Sequence, residues 1–186
     1  MTKVRPPRTD DSDELLLGEW ACLGILNPAP THGFAIAARL KPDGDVGRVW
    51  SLSRPLTYRS LHVLQERGYV EAVGEEPGTA GGPRTILAAT RTGRARLRRW
   101  LATPVAHQRD LRSELLLKLV IADLCGIDVG KMLVAQRERV ARSTALAHGD
   151  RADRPPIAPV ALWRLELSRA ALRFLDQLID DRLAPQ

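Results

Sequence analysis

The chain is poor in cysteine and in aromatics, with two cysteines and 4% Phe, Trp and Tyr among 186 residues. Cys22 and Cys125 stand alone in apolar stretches, without a second thiol or a histidine at zinc or redox spacing, which excludes a metal knuckle, a disulfide framework and a CxxC redox pair. Both thiols are expected in the core, the usual place for a free cysteine. Long hydrophobic runs are missing too. No apolar stretch reaches the ~20 residues that cross a bilayer, and Leu15-Leu16-Leu17 follows Asp10, Asp11, Asp13 and Glu14, the wrong charge for a secretory start. A cytoplasmic protein without a membrane partner is expected. Catalytic signatures are equally scarce: there is no glycine-rich phosphate loop, serine elbow or carboxylate pair, and His32, His62, His107 and His148 are scattered. No catalytic residue, metal ligand or cofactor is assigned, and an enzyme is the least favoured class.

Positive charge is plentiful. A net charge of +6 and a pI near 10.0 favour a polyanionic partner, and 44% hydrophobic residues suffice for one good core or two small ones. The charge is unevenly placed: residues 84–104 hold Arg84, Arg91, Arg94, Arg96, Arg98 and Arg99 and no acid. Arg91, Arg94 and Arg98 share a helix face opposite a stripe of Leu97, Trp100 and Leu101. A solvated face accounts for about half of such arginines; Arg84 stands apart because it is expected at the base of a strand hairpin, within reach of a minor groove or a phosphate.

Along the chain, Met1 to Arg8 reads as a basic arm, within a flexible segment 1–10. Asp11 or Ser12 is expected to cap a first helix with Glu14 in its first turn and Leu16, Trp20, Leu23 and Leu26 as its stripe. Asn27-Pro28-Ala29-Pro30 ends it, and Thr31 caps a second helix, His32 to Leu40, expected to bury Phe34, Ala37 and Leu40. Val49-Trp50 is a short strand or a turn. The richest stretch follows. Ser51 or Ser53 can cap a helix from about Arg54 to Arg67, Pro55 is tolerated near its start, and Gly68 supplies a left-handed stop. Tyr58, Leu61 and Leu64 give this helix an apolar stripe, with Arg54, Thr57, Arg59 and His62 on its leading or outer surface. Tyr69 to Val73, a glycine-rich tip from Gly74 to Gly82, and Pro83 to Ala89 then form a hairpin.

Three helices and a two-stranded wing are the order of a winged helix-turn-helix, whose third helix enters the major groove. The fold class expected is mainly α with a small two-stranded β wing: a DNA-binding domain over 11–104 and a helical dimerisation region over 109–186. In the latter, a helix from Arg109 to Cys125 closes at Gly126, a sixth begins at Asp128 with Met132, Leu133, Gln136 and Val140 along one side, and a proline loop spans Gly149 to Pro159. Leu165, Leu172, Leu175 and Ile179 in the last helix step by seven, three and four, the seam of a lengthwise helix pairing, and are expected at a dimer interface.

These residues resemble the PadR family, regulators named after control of phenolic acid decarboxylase, over nearly the full chain. The likeness rests on Leu15-Leu16-Leu17-Gly18, His32-Gly33-Phe34, Leu56-Thr57-Tyr58-Arg59-Ser60-Leu61 with Leu64, Gly68 and Tyr69-Val70, then Gly82-Pro83-Arg84, Thr90-x-x-Gly93 and Arg109-Asp110-x-x-x-Glu114-Leu115-Leu116-Leu117-Lys118-Leu119. Two positions depart: Leu87 stands where the family places an aromatic residue on the second wing strand, and Phe34 where it places a tyrosine. The resemblance implies a transcriptional regulator, usually a repressor, acting as a homodimer on palindromic promoter DNA. It also implies a phosphate contact for Tyr58, whose alternative is a place in the core. Ser53, Arg54, Thr57, Tyr58, Arg59, His62 and Arg84 are the candidate DNA contacts; Arg54 or Arg59 suits the two acceptors of guanine, or else a phosphate. Relatives sense small molecules near the dimer centre, which makes Trp100, with Trp20, the candidate site for a small aromatic or hydrophobic effector, against the commoner role of tryptophan as packing. The competing class is a winged-helix module that binds protein instead of DNA.

Overall fold

Glu19 decides where the first helix begins. In the computed structural model, which describes residues 14–78, 82–149 and 158–183, its carboxylate accepts the Leu16 amide at 2.8 Å, so α1 spans Leu17–Leu26. The expected start at Asp11 or Ser12 lies outside the described residues, as does the basic arm. Glu14 is not in the first turn, and Leu16 is exposed instead of joining the stripe. All of α1 but Leu17 is buried, because α3 and α5 pack on two of its sides. Gly24 permits the second contact: a Cβ there would lie 2.4 Å from Ile121. Burial among these helices pushes the Cys22 thiol up to about 12, with the Glu19 charge adding to the shift.

The two prolines after α1 hold the chain extended, and Thr31–His32 becomes a short strand, β1, instead of a cap and a first helical turn. It pairs antiparallel with the second wing strand, Thr31 opposite Leu87 and His32 opposite Ile86. The expected two-stranded wing is therefore part of a three-stranded sheet. Helix α2 spans Gly33–Arg39, capped by His32, whose Nδ1 accepts the Ala35 amide at 3.0 Å. This start turns Ile36, Ala37 and Leu40 inward. Phe34, two residues before Ile36 and so about 200° around the helix from it, is 48% exposed, contrary to expectation. Arg39 and Asp45 close the following loop at 2.5 Å, and the Arg39 guanidinium holds the Asp45 carboxyl below its ordinary range. Val49-Trp50 is a turn, not a strand.

Helix α3 spans Arg54–Glu66, with Pro55 in its first turn. Ser53 occupies the cap without a side-chain hydrogen bond; the Ser53 carbonyl instead accepts both the amide and the hydroxyl of Thr57, at 2.9 and 3.1 Å. Leu61 and Leu64 face α1 and Gly68 stops the helix at φ +68°. Strands β2 (Val70–Glu76) and β3 (Arg84–Ala89) follow in the sheet order β1-β3-β2, with a bulge between Ala72 and Gly74. Part of the glycine-rich tip, residues 79–81, lies outside the described residues. Thr90 caps α4 (Arg91–Ala102) by accepting the Gly93 amide at 3.0 Å while donating its hydroxyl to the Gly68 carbonyl at 2.7 Å. One threonine thus ties the stop of α3 to the start of α4.

Beyond Pro104 the helix expected from Arg109 is divided into a 3-10 turn (Gln108–Asp110), a π turn (Leu111–Leu115) and α5 (Leu116–Cys125), closed by Gly126 at φ +62°. Helix α6 spans Gly130–Gly149 and buries Met132, Leu133, Gln136 and Val140. Gln136 is tolerated there because its side-chain oxygen accepts the Val105 amide at 2.6 Å. Helix α7 spans Ala158–Leu183, so Pro159 belongs to its first turn and not to the loop; most of that loop is outside the described residues. Gly93→Ala is expected to lower stability by about 2–3 kcal/mol in urea unfolding, since its Cβ would lie 2.2 Å from the Tyr69 carbonyl, backbone that cannot rotate aside.

Candidate nucleic-acid interface

The exposed side of α3 and the near face of β3 line a groove of about 810 Å³ that also takes in the N-terminal end of α2. Arg54, Tyr58 and His62 enter it from α3, one turn apart, and Arg84 from β3. Tyr58 is 44% exposed, and its ring crosses Gly33 so closely that a Cβ there would meet it at 2.9 Å. The hydroxyl end is thereby held at the groove, and the core alternative is excluded. Ser53 and Arg59 are exposed beside the groove, and His62 pairs with Glu66 at 3.3 Å. Thr57 is the exception. It is 0% exposed and its hydroxyl is engaged by Ser53, because the residue four before Leu61 lies on the buried side of α3. It cannot touch DNA.

Arg84 is not at the base of the wing. It pairs with Glu76 at the tip end of the ladder, its Nη1 is 3.4 Å from His32 Nε2, and its guanidinium lies 5.4 Å from the Phe34 ring centroid. His32 Nε2 is also 3.1 Å from Glu76. With Nδ1 accepting a backbone amide, Nε2 carries the proton and donates to Glu76, so the His32 side chain joins α2 to the first wing strand, while Arg84 lies beside it without a hydrogen bond. His32 and Phe34 are site residues that sequence reasoning assigned elsewhere; the signal was the pair of prolines ahead of them, which shifts the helix start. Glu71 and Glu75 are exposed along β2, so that strand repels phosphate and Arg84 on β3 is the wing cation that faces the groove. Among the described residues, no three His, Cys, Asp or Glu side chains gather as a metal site, and no helix is long and apolar enough to cross a membrane.

Residues 22–99, from α1 through the sheet to α4, match the family model of the transcriptional regulator PadR-like family. Over this segment the chain is similar to the PadR-like regulators. Similar solved structures include Bacillus subtilis PadR in complex with operator DNA (17% identity, 87% of this chain and 97% of that one, TM-score 0.45) and with p-coumaric acid (16%, 89% and 98%, 0.42), and a PadR-like transcriptional regulator from Bacillus cereus (18%, 91% and 98%, 0.41). Comparison with curated protein sequences gave no match.

Two further surfaces of the chain bear on its expected sites. Trp20 and Trp100 are brought together as a stacked pair, centroids 4.7 Å apart and 7° from parallel, at a cleft of about 470 Å³ edged by Glu14, Asp110 and Glu114. Their faces are largely occupied: Trp20 is 4% exposed, and Lys118 Nζ lies 4.9 Å from the Trp100 centroid. Lys118 is 1% exposed; it donates to the Thr103 carbonyl at 2.5 Å and pairs with Glu114 at 2.9 Å.

On α7 most of the expected seam packs within its own chain. Leu175 is fully buried, Leu172 and Ile179 pack on the same core, and Leu165 is half-buried. Arg137–Asp176, Arg182–Asp123 at 2.7 Å and Gln108–Ser168 at 3.0 Å fasten the helix to its own chain. The sequence period is satisfied by α6, already present as an intramolecular partner. A different face, with Val160, Trp163, Leu167 and Phe174, is exposed.

Burial lowers the Lys118 ammonium from its ordinary 10.5, with Glu114 opposing the shift. The unfolded chain therefore holds this proton to higher pH than the folded one, and between the two values stability rises with pH. Urea unfolding of the parent should show this gain as pH approaches 10.5, and Lys118→Met should lack it.

Proposed function

We propose that this PadR-like regulator is a homodimeric repressor that reads a palindromic promoter site in duplex DNA with α3 and is released by a small molecule. The observation that carries the reading is the groove: Arg54 and Tyr58 of α3 and Arg84 of β3, from elements separated in sequence, open onto one face. Arg54 and Arg59 supply base or phosphate contacts, Ser53, Tyr58 and His62 polar contacts beside them, and Arg84 a phosphate contact. One such helix covers only a few base pairs, so a two-fold dimer on half-sites about one helical turn apart supplies the specificity.

The dimer is proposed to use the exposed face of α7 instead of its buried seam. Trp163, 68% exposed, and Phe174 border a cleft of about 600 Å³ with Leu111 and Leu116, and a large apolar area of this kind marks an association surface. A small aromatic effector is proposed at the Trp20–Trp100 cleft, where the surrounding carboxylates favour a neutral or cationic molecule over an anion.

Arg54→Ala and Arg59→Ala should each weaken binding to DNA selected by the parent from random duplexes by about 1–3 kcal/mol and leave the melting temperature unchanged. Electrophoretic shifts at several salt concentrations measure this, and parental binding by both variants would assign the groove to another partner, such as a protein. Trp163→Glu should shift sedimentation from dimer to monomer; an unchanged dimer would move the interface off this face.

A further inference from the structure

Phe34 has no structural reason to be where it is. It is a large apolar side chain, 48% exposed, on a helix whose inward positions are already filled by Ile36, Ala37 and Leu40, and an isolated exposed phenylalanine contributes little to a core. What surrounds it is charge. The Arg54 guanidinium lies 5.3 Å from its ring centroid and that of Arg84 5.4 Å, while Arg54 is also 5.8 Å from the Tyr58 ring. Both distances are within the range at which a guanidinium is attracted by the negative face of an aromatic ring. The two arginines belong to different elements, the first residue of α3 and the first residue of β3, and Phe34 is the ring they share; without it Arg54 would keep only the Tyr58 ring and Arg84 only its approach to His32.

We propose that Phe34 is a positioning residue for DNA: its ring holds Arg54 of the helix and Arg84 of the wing in fixed orientations on one groove, so that the two cations engage the duplex together. This rests on the DNA-binding reading above. Ordering two rotamer-rich side chains before the complex forms removes part of the entropy that binding would otherwise cost. Neither charge comes from Phe34, so the number of phosphates neutralised does not depend on it. Loss of the ring weakens binding without changing how many counterions are released. A ring that merely supported the fold would instead alter the melting temperature, and a ring that touched the duplex independently of the arginines would contribute equally in their absence.

The full chain and its Phe34→Leu, Phe34→Tyr, Arg54→Met and Arg84→Met variants, with the Phe34→Leu/Arg54→Met and Phe34→Leu/Arg84→Met pairs, are titrated by fluorescence anisotropy against a duplex selected by the parent, at several salt concentrations. Phe34→Leu should bind about three- to tenfold more weakly, in line with one or two exposed cation–ring contacts, with an unchanged salt slope and melting temperature. Phe34→Tyr, which keeps the ring, should bind like the parent. In each double variant the Phe34→Leu loss should shrink, the sign of coupling. Losses that simply add, a slope reduced by one unit, or parental binding by Phe34→Leu would overturn the positioning role while leaving the DNA face intact. Parental binding by both arginine variants would overturn the DNA reading itself, and this inference with it.

Discussion

Enclosure of α1 is the constraint on which the rest depends. Helix α3 covers it from the winged domain and α5 from the C-terminal region, and Gly18 and Gly24 let both approach: a Cβ at Gly18 would lie 3.3 Å from the Ser60 hydroxyl of α3, one at Gly24 2.4 Å from Ile121 of α5. A helix buried on nearly all sides cannot shift without moving its neighbours, so the orientation of α3, and with it the groove, is coupled to the helices that carry α7. The Trp20–Trp100 stack and the Lys118 contacts with Thr103 and Glu114 lie along the same boundary. Any ligand that parts those rings acts on the joint between the two regions.

The groove itself shows how opposite charges are partitioned. Cations gather where α2, α3 and β3 meet, whereas Glu71 and Glu75 occupy the adjoining strand. His32 stands at the division, capping α2 with one ring nitrogen and binding Glu76 with the other. The groove thereby attracts negative charge along the helix and the start of β3 and repels it along β2.

Much of this was legible in the sequence where a single residue type has a single physical use. Gly68 and Gly126 mark left-handed stops, and the Ser53-to-Gly68 stretch contains the helix that lines the groove. The errors share a cause: periodicity gives a stripe but not its partner. Thr57 was placed outside because it is polar, yet its hydroxyl is satisfied by the backbone one turn back, so it can be buried. Leu175 reads as part of a seam shared with a second subunit, and α6 of its own chain lies beside it. Phe34 was expected inside because it is apolar; its orientation follows from β1, whose pairing with Leu87 and Ile86 is a long-range contact that no local pattern announces.

The central claim is that the α3 and β3 groove, not another face, receives duplex DNA. Amide hydrogen exchange of the full chain, with and without a duplex selected by it, tests this most directly. Protection concentrated in Arg54–His62 and at Arg84–Thr85, with β2 around Glu71 unchanged, is the predicted result. Protection centred on β2 or α7 with none in α3 would contradict it.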